Sequence, residues 1–104
     1  MSTIQIHSIL DQLEILRSQP HLFVGSESRG MWHFLNGFDL AAGAISVDVD
    51  YPKLREATIS ERGWGTMSSI YEEISLSSKT EEDIVKELIN IHIETWKKVL
   101  ASIE

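Results

Sequence analysis

The strongest structural signal in this chain is the segment of residues 80–103, TEEDIVKELINIHIETWKKVLASI, which predicts a long helix. Thr80, followed three residues later by Asp83, resembles a capping box, and the acids of the first turn suit the positive end of the helix dipole. The helix predicted from this start is about 35 Å long, at about 1.5 Å per residue. The apolar residues of this helix cover two adjacent faces: Ile84, Val85, Leu88, Ile91, Ile93, Trp96, Val99, Leu100 and Ile103. So wide an apolar arc predicts the central packing element of the domain.

Two amphipathic helices are predicted in the first half of the chain. Thr3–Ser18 has apolar residues at three-and-four spacing, and Pro20 prevents the helix from continuing. A second helix is expected to begin at Ser26 or Ser28, because a serine oxygen can accept from the free backbone donors of the first turn. It is expected to end near Gly43, since a glycine adopts the left-handed cap without a side-chain clash.

Two shorter helices are predicted between these and the long one. The first covers Tyr51–Ser60, with Pro52 at the start, where its missing N–H does no harm. The second runs from Thr66, as its cap, through Ile74, and residues 75–79 are expected to form a polar loop.

Two features interrupt the helical pattern. Gly37 inside the second helix indicates either a close contact with another helix or a break, and we favour the close contact. Residues 45–50 alternate apolar and polar side chains, which is the period of a strand. An extended connector is the preferred interpretation, and a short pairing with residues 22–24 is the alternative.

Length and composition limit the architecture. A chain of 104 residues, of which 42% are hydrophobic and 24% charged, is expected to fold as one domain over residues 1–104, because a second core could not bury enough apolar surface. The predicted fold is mostly α: a single-domain bundle of about five helices with an extended connector near residues 45–50.

Charge and residue usage exclude several function classes. Sixteen acidic residues against nine basic ones give a net charge of −7, which repels nucleic acid and anionic membranes and favours a basic partner. The absence of cysteine excludes disulfides, thiolate metal sites and cysteine nucleophiles, and it fits a reducing cytoplasm. No apolar run approaches the roughly 18 residues of a membrane helix, so a soluble, unexported protein is expected.

The sequence gives no positive sign of catalysis. Its four histidines match no zinc spacing, and no phosphate-binding loop or nucleophile motif is present. We therefore expect no enzyme activity, no cofactor and no metal. Asp48 and Asp50 lie on one side of an extended segment, and polar alternation on a solvated face explains both. A partner-facing role, or cation binding with acid–base chemistry, remains open for this pair.

The candidate interface residues come from charge and aromatic character. Trp96 on the long helix is expected in the core, and the core is also the preferred place for Trp64, which could otherwise anchor a contact. Acidic residues are concentrated near the starts of the last two predicted helices. They form either a solvated helix face or a patch that binds a basic surface of a partner. The predicted partner-binding residues are Asp39, Asp48, Asp50, Trp64, Tyr71, Glu72 and Glu73.

One pattern in the first 45 residues resembles a known group of proteins. Residues 16–25, LRSQPHLFVG, are followed by residues 31–38, MWHFLNGF. In this pattern a helix ends at a proline, an apolar–aromatic pair and a glycine follow, and a second helix contains an aromatic-Leu-x-Gly-aromatic run. The pattern resembles that of small bacterial immunity proteins of polymorphic toxin and contact-dependent growth inhibition systems. The resemblance implies a mostly helical protein that binds and blocks a toxin made by the same cell. It carries over no catalytic residue.

The expected function follows from this resemblance and from the charge. The chain is expected to be a cytoplasmic immunity protein, a monomer or weak dimer, that neutralises the C-terminal domain of a cognate toxin through an acidic surface. A nuclease is the expected target, because its basic cleft is built for phosphates. One alternative is a regulatory or assembly protein that self-associates through its C-terminal helix. Another is an enzyme that uses Asp48 and Asp50 with a metal ion.

Overall fold

The computed structural model describes residues 3–19, 28–45, 49–64, 70–77 and 80–103, without the side chains of residues 42–45. These parts contain five helices and no strand, which confirms the predicted helical bundle. The helices are α1 (Thr3–Ser18), α2 (Ser28–Ile45), α3 (Tyr51–Ser60), α4 (Ile70–Ser77) and α5 (Glu81–Ile103). None of the helices in the described parts is both long and apolar enough to cross a membrane.

Helix α5 is the central element, as its apolar pattern predicts. It contacts each of the other four helices, and Trp96 is fully buried. Its other buried apolar side chains are Ile84, Val85, Leu88, Ile89, Ile91, Ile93 and Val99. The apolar faces of α5 are therefore covered by helices of the same chain, and this helix provides more of the buried apolar side chains than any other.

The starts of α3 and α5 and the ends of α1 and α3 lie where the sequence predicts them. The N–H of Asp83 donates to Oγ1 of Thr80 over 3.0 Å, which caps α5. Asp50 caps α3 by accepting from the N–H of Lys53 over 3.2 Å, with a proline in the first turn. Helix α1 ends at Ser18, two residues before Pro20, and α3 ends at Ser60.

The structure corrects the predicted details of α2. Gly37 is exposed within an unbroken helix, and a Cβ at this position would have no neighbour within 4 Å, so the predicted close contact is wrong. The helix also continues through Gly43 to Ile45 instead of ending there. Ser28 is already the first residue of α2, and its hydroxyl pairs with Tyr71. Ser26, the other predicted cap, lies outside the described residues.

The predicted polar loop at residues 75–79 begins too early. Helix α4 extends to Ser77, whose hydroxyl donates to the carbonyl oxygens of Glu73 and Ile74. A serine that returns hydrogen bonds to the preceding turn is compatible with helix, which explains the difference. In the proposed connector, Ile45 belongs to α2, whereas Val49 and Asp50 are not helical. Residues 46–48 of the connector lie outside the described residues. The same is true of residues 22–24, the alternative pairing partner, and of Thr66, the predicted cap.

Candidate partner-binding groove

An open groove lies between the first half of α2 and α4. Its volume is about 480 Å³, within the range of about 300–1,000 Å³ that ligand clefts occupy. Its lining combines aromatic, apolar and charged side chains: Arg29, Trp32, His33, Tyr71, Glu72, Ser75 and Leu76. Leu76, on the wall of the groove, is 85% exposed.

Ser28 fixes the geometry of this groove. The residue is fully buried, and its Oγ lies 2.6 Å from the hydroxyl oxygen of Tyr71 on α4. Its backbone N–H donates to Oε2 of Glu81 on α5 over 2.7 Å. The carboxylate of Glu81 therefore accepts from an N–H at the N-terminus of α2 that has no partner within the helix. Through Ser28, the starts of α2, α4 and α5 meet at one place.

The two aromatic rings of the groove lie side by side. The ring centroids of Trp32 and Tyr71 are 5.9 Å apart, with 48° between the ring planes. The guanidinium carbon of Arg29 lies 5.4 Å from the centroid of Tyr71, at cation–π distance. Hydrogen bonds from Ser28 and the nearby positive charge of Arg29 lower the pKa of Glu81.

A second, narrower depression of about 180 Å³ lies between α1 and α2. It is almost entirely apolar, with Ile9, Leu13, Leu16, Phe34 and Phe38 as its main walls. Without a charged side chain in its lining, it offers little to select one partner over another.

A buried polar cluster joins α2, α3 and α5 on another part of the bundle. Oδ1 of Asp39 accepts from the Tyr51 hydroxyl over 2.8 Å and lies 2.9 Å from Nε2 of His92. Oδ2 of the same carboxylate lies 2.9 Å from Nε of Arg55. Burial by itself would raise the pKa of Asp39, but the contacts with His92, Tyr51 and Arg55 lower it. Burial and the charge of Asp39 raise the pKa of Tyr51.

Both ring nitrogens of His92 face oxygen atoms in this cluster. Nδ1 lies 2.9 Å from the carbonyl oxygen of Leu88, and Nε2 faces Asp39. The side chain is only 2% exposed. A general base needs a free lone pair and access to substrate. His92 has no such access, because it is almost fully buried, and its contacts join α5 to α2.

Arg62 forms a third polar junction, at the end of α3. Its guanidinium contacts Glu87 and Glu94 on α5, each over 2.6 Å, and it lies 5.8 Å from the ring centroid of Trp64. Burial would lower the pKa of Arg62, but hydrogen bonds to the two carboxylates raise it. The junction holds the turn after α3, and with it the half-buried Trp64, against α5.

The structure brings together only part of the predicted interface. Tyr71 and Glu72 line the groove, and Glu73, half-buried, follows them on α4. Asp39 lies in the buried cluster, ten residues along α2 from Arg29, which is about 15 Å at 1.5 Å per residue. The remaining candidates lie elsewhere: Asp50 caps α3, Trp64 packs partly against the core under Arg62, and Asp48 lies outside the described residues.

Sequence reasoning missed several residues that form these sites. Trp32 was given no role, although it adjoins the buried Met31 and lies off the apolar stripe that Met31 and Leu35 form along α2. Because Trp32 lies off the buried stripe, the sequence could have predicted that its ring is only half-buried. The polar His92 between two buried isoleucines was a comparable signal for a buried pairing, but nothing in the local sequence names Asp39 as its partner.

Comparison of the chain with protein-family models, curated proteins and solved structures finds no match. Within the described residues, no group of three or more histidine, aspartate and glutamate side chains is arranged to hold a metal ion.

Proposed function

We propose that this chain is an immunity protein that binds the C-terminal domain of a cognate bacterial toxin and neutralises it in the cytoplasm. The target is a toxin with a basic active-site cleft, most simply a nuclease. The chain covers that cleft through the face that contains the α2–α4 groove. It performs no reaction of its own.

The observation that carries this proposal is the meeting of three helix starts at Ser28. The bonds from Ser28 to Tyr71 and Glu81 bring the acidic first turns of α4 and α5 to the same side of the molecule. Those turns contain Glu72, Glu73, Glu81, Glu82 and Asp83. Opposite charge on this side comes from Arg29, beside Tyr71, and from Lys86, which pairs with Glu82 over 3.1 Å.

This face has the composition of a protein interface. Half-exposed aromatic side chains dominate binding energy in such interfaces, and Trp32 and Tyr71 supply them here. The surrounding carboxylates match a surface that is built to hold phosphates, and complementary charge speeds the encounter and sets the register. The net charge of −7 acts in the same direction over longer distances.

The alternative of self-association through α5 has less support. It requires a free apolar face on that helix, but most apolar side chains of α5 are buried within the bundle, and Leu100 and Ile103 near its end are half-buried. A dimer built on this face would have to open the bundle and expose the core that makes the monomer stable.

The test is coexpression with the toxin domain encoded beside this chain's gene. We expect the chain to restore growth and to bind the purified domain at one-to-one stoichiometry in titration calorimetry. Added salt should lower the association rate steeply, because exposed charges guide the encounter. Absence of both rescue and binding would refute the proposal.

A pair of charge-reversal variants locates the surface. Glu72→Lys places a positive charge in the groove, and we expect it to slow association by about tenfold or more. Glu14→Lys makes the same change on the exposed side of α1, far along the chain from the groove, and should change the rate much less. Equal effects of the two variants would show that net charge, and not this face, governs binding.

A further inference from the structure

We propose that the α2–α4 groove is a receptor for an arginine side chain of the partner, with Trp32 and Tyr71 as the aromatic walls and Glu72 as the anion. The inference rests on the proposed function in one respect, since it names the chemical group of the partner that enters the groove.

The first argument is that the groove already holds a guanidinium group. Arg29 of the chain itself lies 5.4 Å from the centroid of Tyr71, so the face of this ring accepts a planar cation. Trp32 lies beside it and offers the aromatic face that binds cations most strongly. The two rings contact each other and both line the groove, so a second guanidinium can stack on the side of Trp32 that faces the groove.

The second argument is the charge that remains unpaired. Glu81 already accepts the N–H of Ser28 over 2.7 Å, so part of its carboxylate is engaged within the fold. Glu72 is exposed on the groove wall, and the described residues offer it no hydrogen bond or ion pair. An exposed carboxylate beside two aromatic faces complements a cation that has both charge and a flat surface.

The third argument selects arginine over lysine. The guanidinium is planar, is weakly hydrated, and donates two parallel hydrogen bonds that match a carboxylate. The lysine ammonium is a compact, strongly hydrated charge that can use the carboxylate but gains less from the two rings. The mixed lining of the groove therefore favours arginine.

The experiment uses the full chain and two small probes, L-argininamide and L-citrullinamide, which have nearly the same shape and differ in charge. The indole N–H signal of Trp32 is followed by NMR and assigned through its loss in Trp32→Phe. We expect argininamide to shift this signal saturably and citrullinamide to bind about fivefold more weakly or not at all. Lysinamide should fall between them.

Two variants test the assigned anion. Glu72→Gln should weaken argininamide binding by about threefold or more, whereas Glu56→Gln, which removes an exposed carboxylate from α3, should leave it unchanged. Circular dichroism checks that each variant is folded. Absence of a saturable shift at Trp32, equal binding of the two probes, or unchanged binding by Glu72→Gln would each overturn the inference.

The outcomes also separate this inference from the proposed function. A chain that neutralises its toxin but does not distinguish argininamide from citrullinamide would refute the arginine receptor alone. A chain that binds argininamide through Glu72 but neither binds nor neutralises the toxin would support the chemistry of the groove and refute the immunity function.

Discussion

The hydroxyl of Tyr51 donates a 2.8 Å hydrogen bond to Oδ1 of Asp39, and this bond joins α3 to α2 inside the bundle. The same carboxylate is met by Arg55 from α3 and by His92 from α5. One side chain thereby connects three helices. A buried carboxylate is costly unless its oxygens are satisfied, so the stability of the bundle should depend on each of these contacts.

Replacing Tyr51 by phenylalanine tests the hydrogen bond to Asp39. The ring still fills its place beside Trp96, but the buried carboxylate loses a donor, so we expect the free energy of unfolding to fall by about 2 kcal/mol. Tyr71→Phe is the matched control, because its hydroxyl pairs with the neutral Ser28 and should contribute about 1 kcal/mol or less. Urea unfolding followed by circular dichroism measures both. Equal losses would contradict the special role of the charged acceptor.

The lowered pKa of Asp39 predicts a specific response to acid. In the unfolded chain the group titrates near its usual value of 3.8, and in the folded chain it titrates below that value. Its contribution to stability is therefore fully present above pH 3.8 and is lost as the pH falls through the lower, folded pKa. Asp39→Asn removes this contribution, so the variant should lose less stability than the parent chain between neutral pH and this acidic range. Urea unfolding at a series of pH values measures the difference, and parallel curves would contradict the prediction.

Much of the fold was predictable because its signals are local. The Thr80 cap, the proline after α1 and Pro52 at the start of α3 act on the backbone within a few residues, so the sequence alone locates these helix ends. The cap at Asp50 was not predicted. The wide apolar arc of α5 likewise predicts its central place, because such a helix can be stable only when it is covered on both faces.

The sites were less predictable because they depend on pairs of residues far apart in the chain. Asp39 and His92 are separated by 52 intervening positions, and Ser28 and Glu81 are equally far apart, so no periodicity connects them. Asp39 was predicted as a partner-binding acid from its charge alone, whereas its carboxylate is engaged inside the fold. For Gly37, the residue type did not reveal which side of the helix faces solvent.

The exposed Gly37 offers a stabilising substitution. It lies inside α2 with a helical backbone, and an alanine Cβ would have no neighbour within 4 Å. Gly37→Ala should raise the free energy of unfolding by about 0.5–1 kcal/mol, because glycine loses more backbone entropy in a helix. Gly63→Ala is the opposite control, since its φ of +76° is unfavourable for alanine and should lower the free energy by about 1 kcal/mol. Thermal unfolding of the two variants should shift in opposite directions, and a loss of stability in Gly37→Ala would show that α2 has a neighbour there.

The junction around Arg62 predicts that lysine cannot replace arginine. The guanidinium contacts Glu87 and Glu94 through different nitrogens while it lies over Trp64, and a single ammonium cannot reach all three in one position. Arg62→Lys should therefore lower the free energy of unfolding by about 1–2 kcal/mol.

Lys98, which pairs with Glu61 over 2.7 Å in a more exposed position, supplies the control for this loss. Removing one exposed ion pair costs about 0.5 kcal/mol or less, so Lys98→Ala should have a small effect. In a double-mutant cycle, Arg62→Lys and Glu94→Gln should cost less together than the sum of their separate effects, because each removes the same contact. Urea unfolding measures the four chains of the cycle, and strict additivity would mean that the guanidinium makes no contact with Glu94 that a lysine ammonium cannot make.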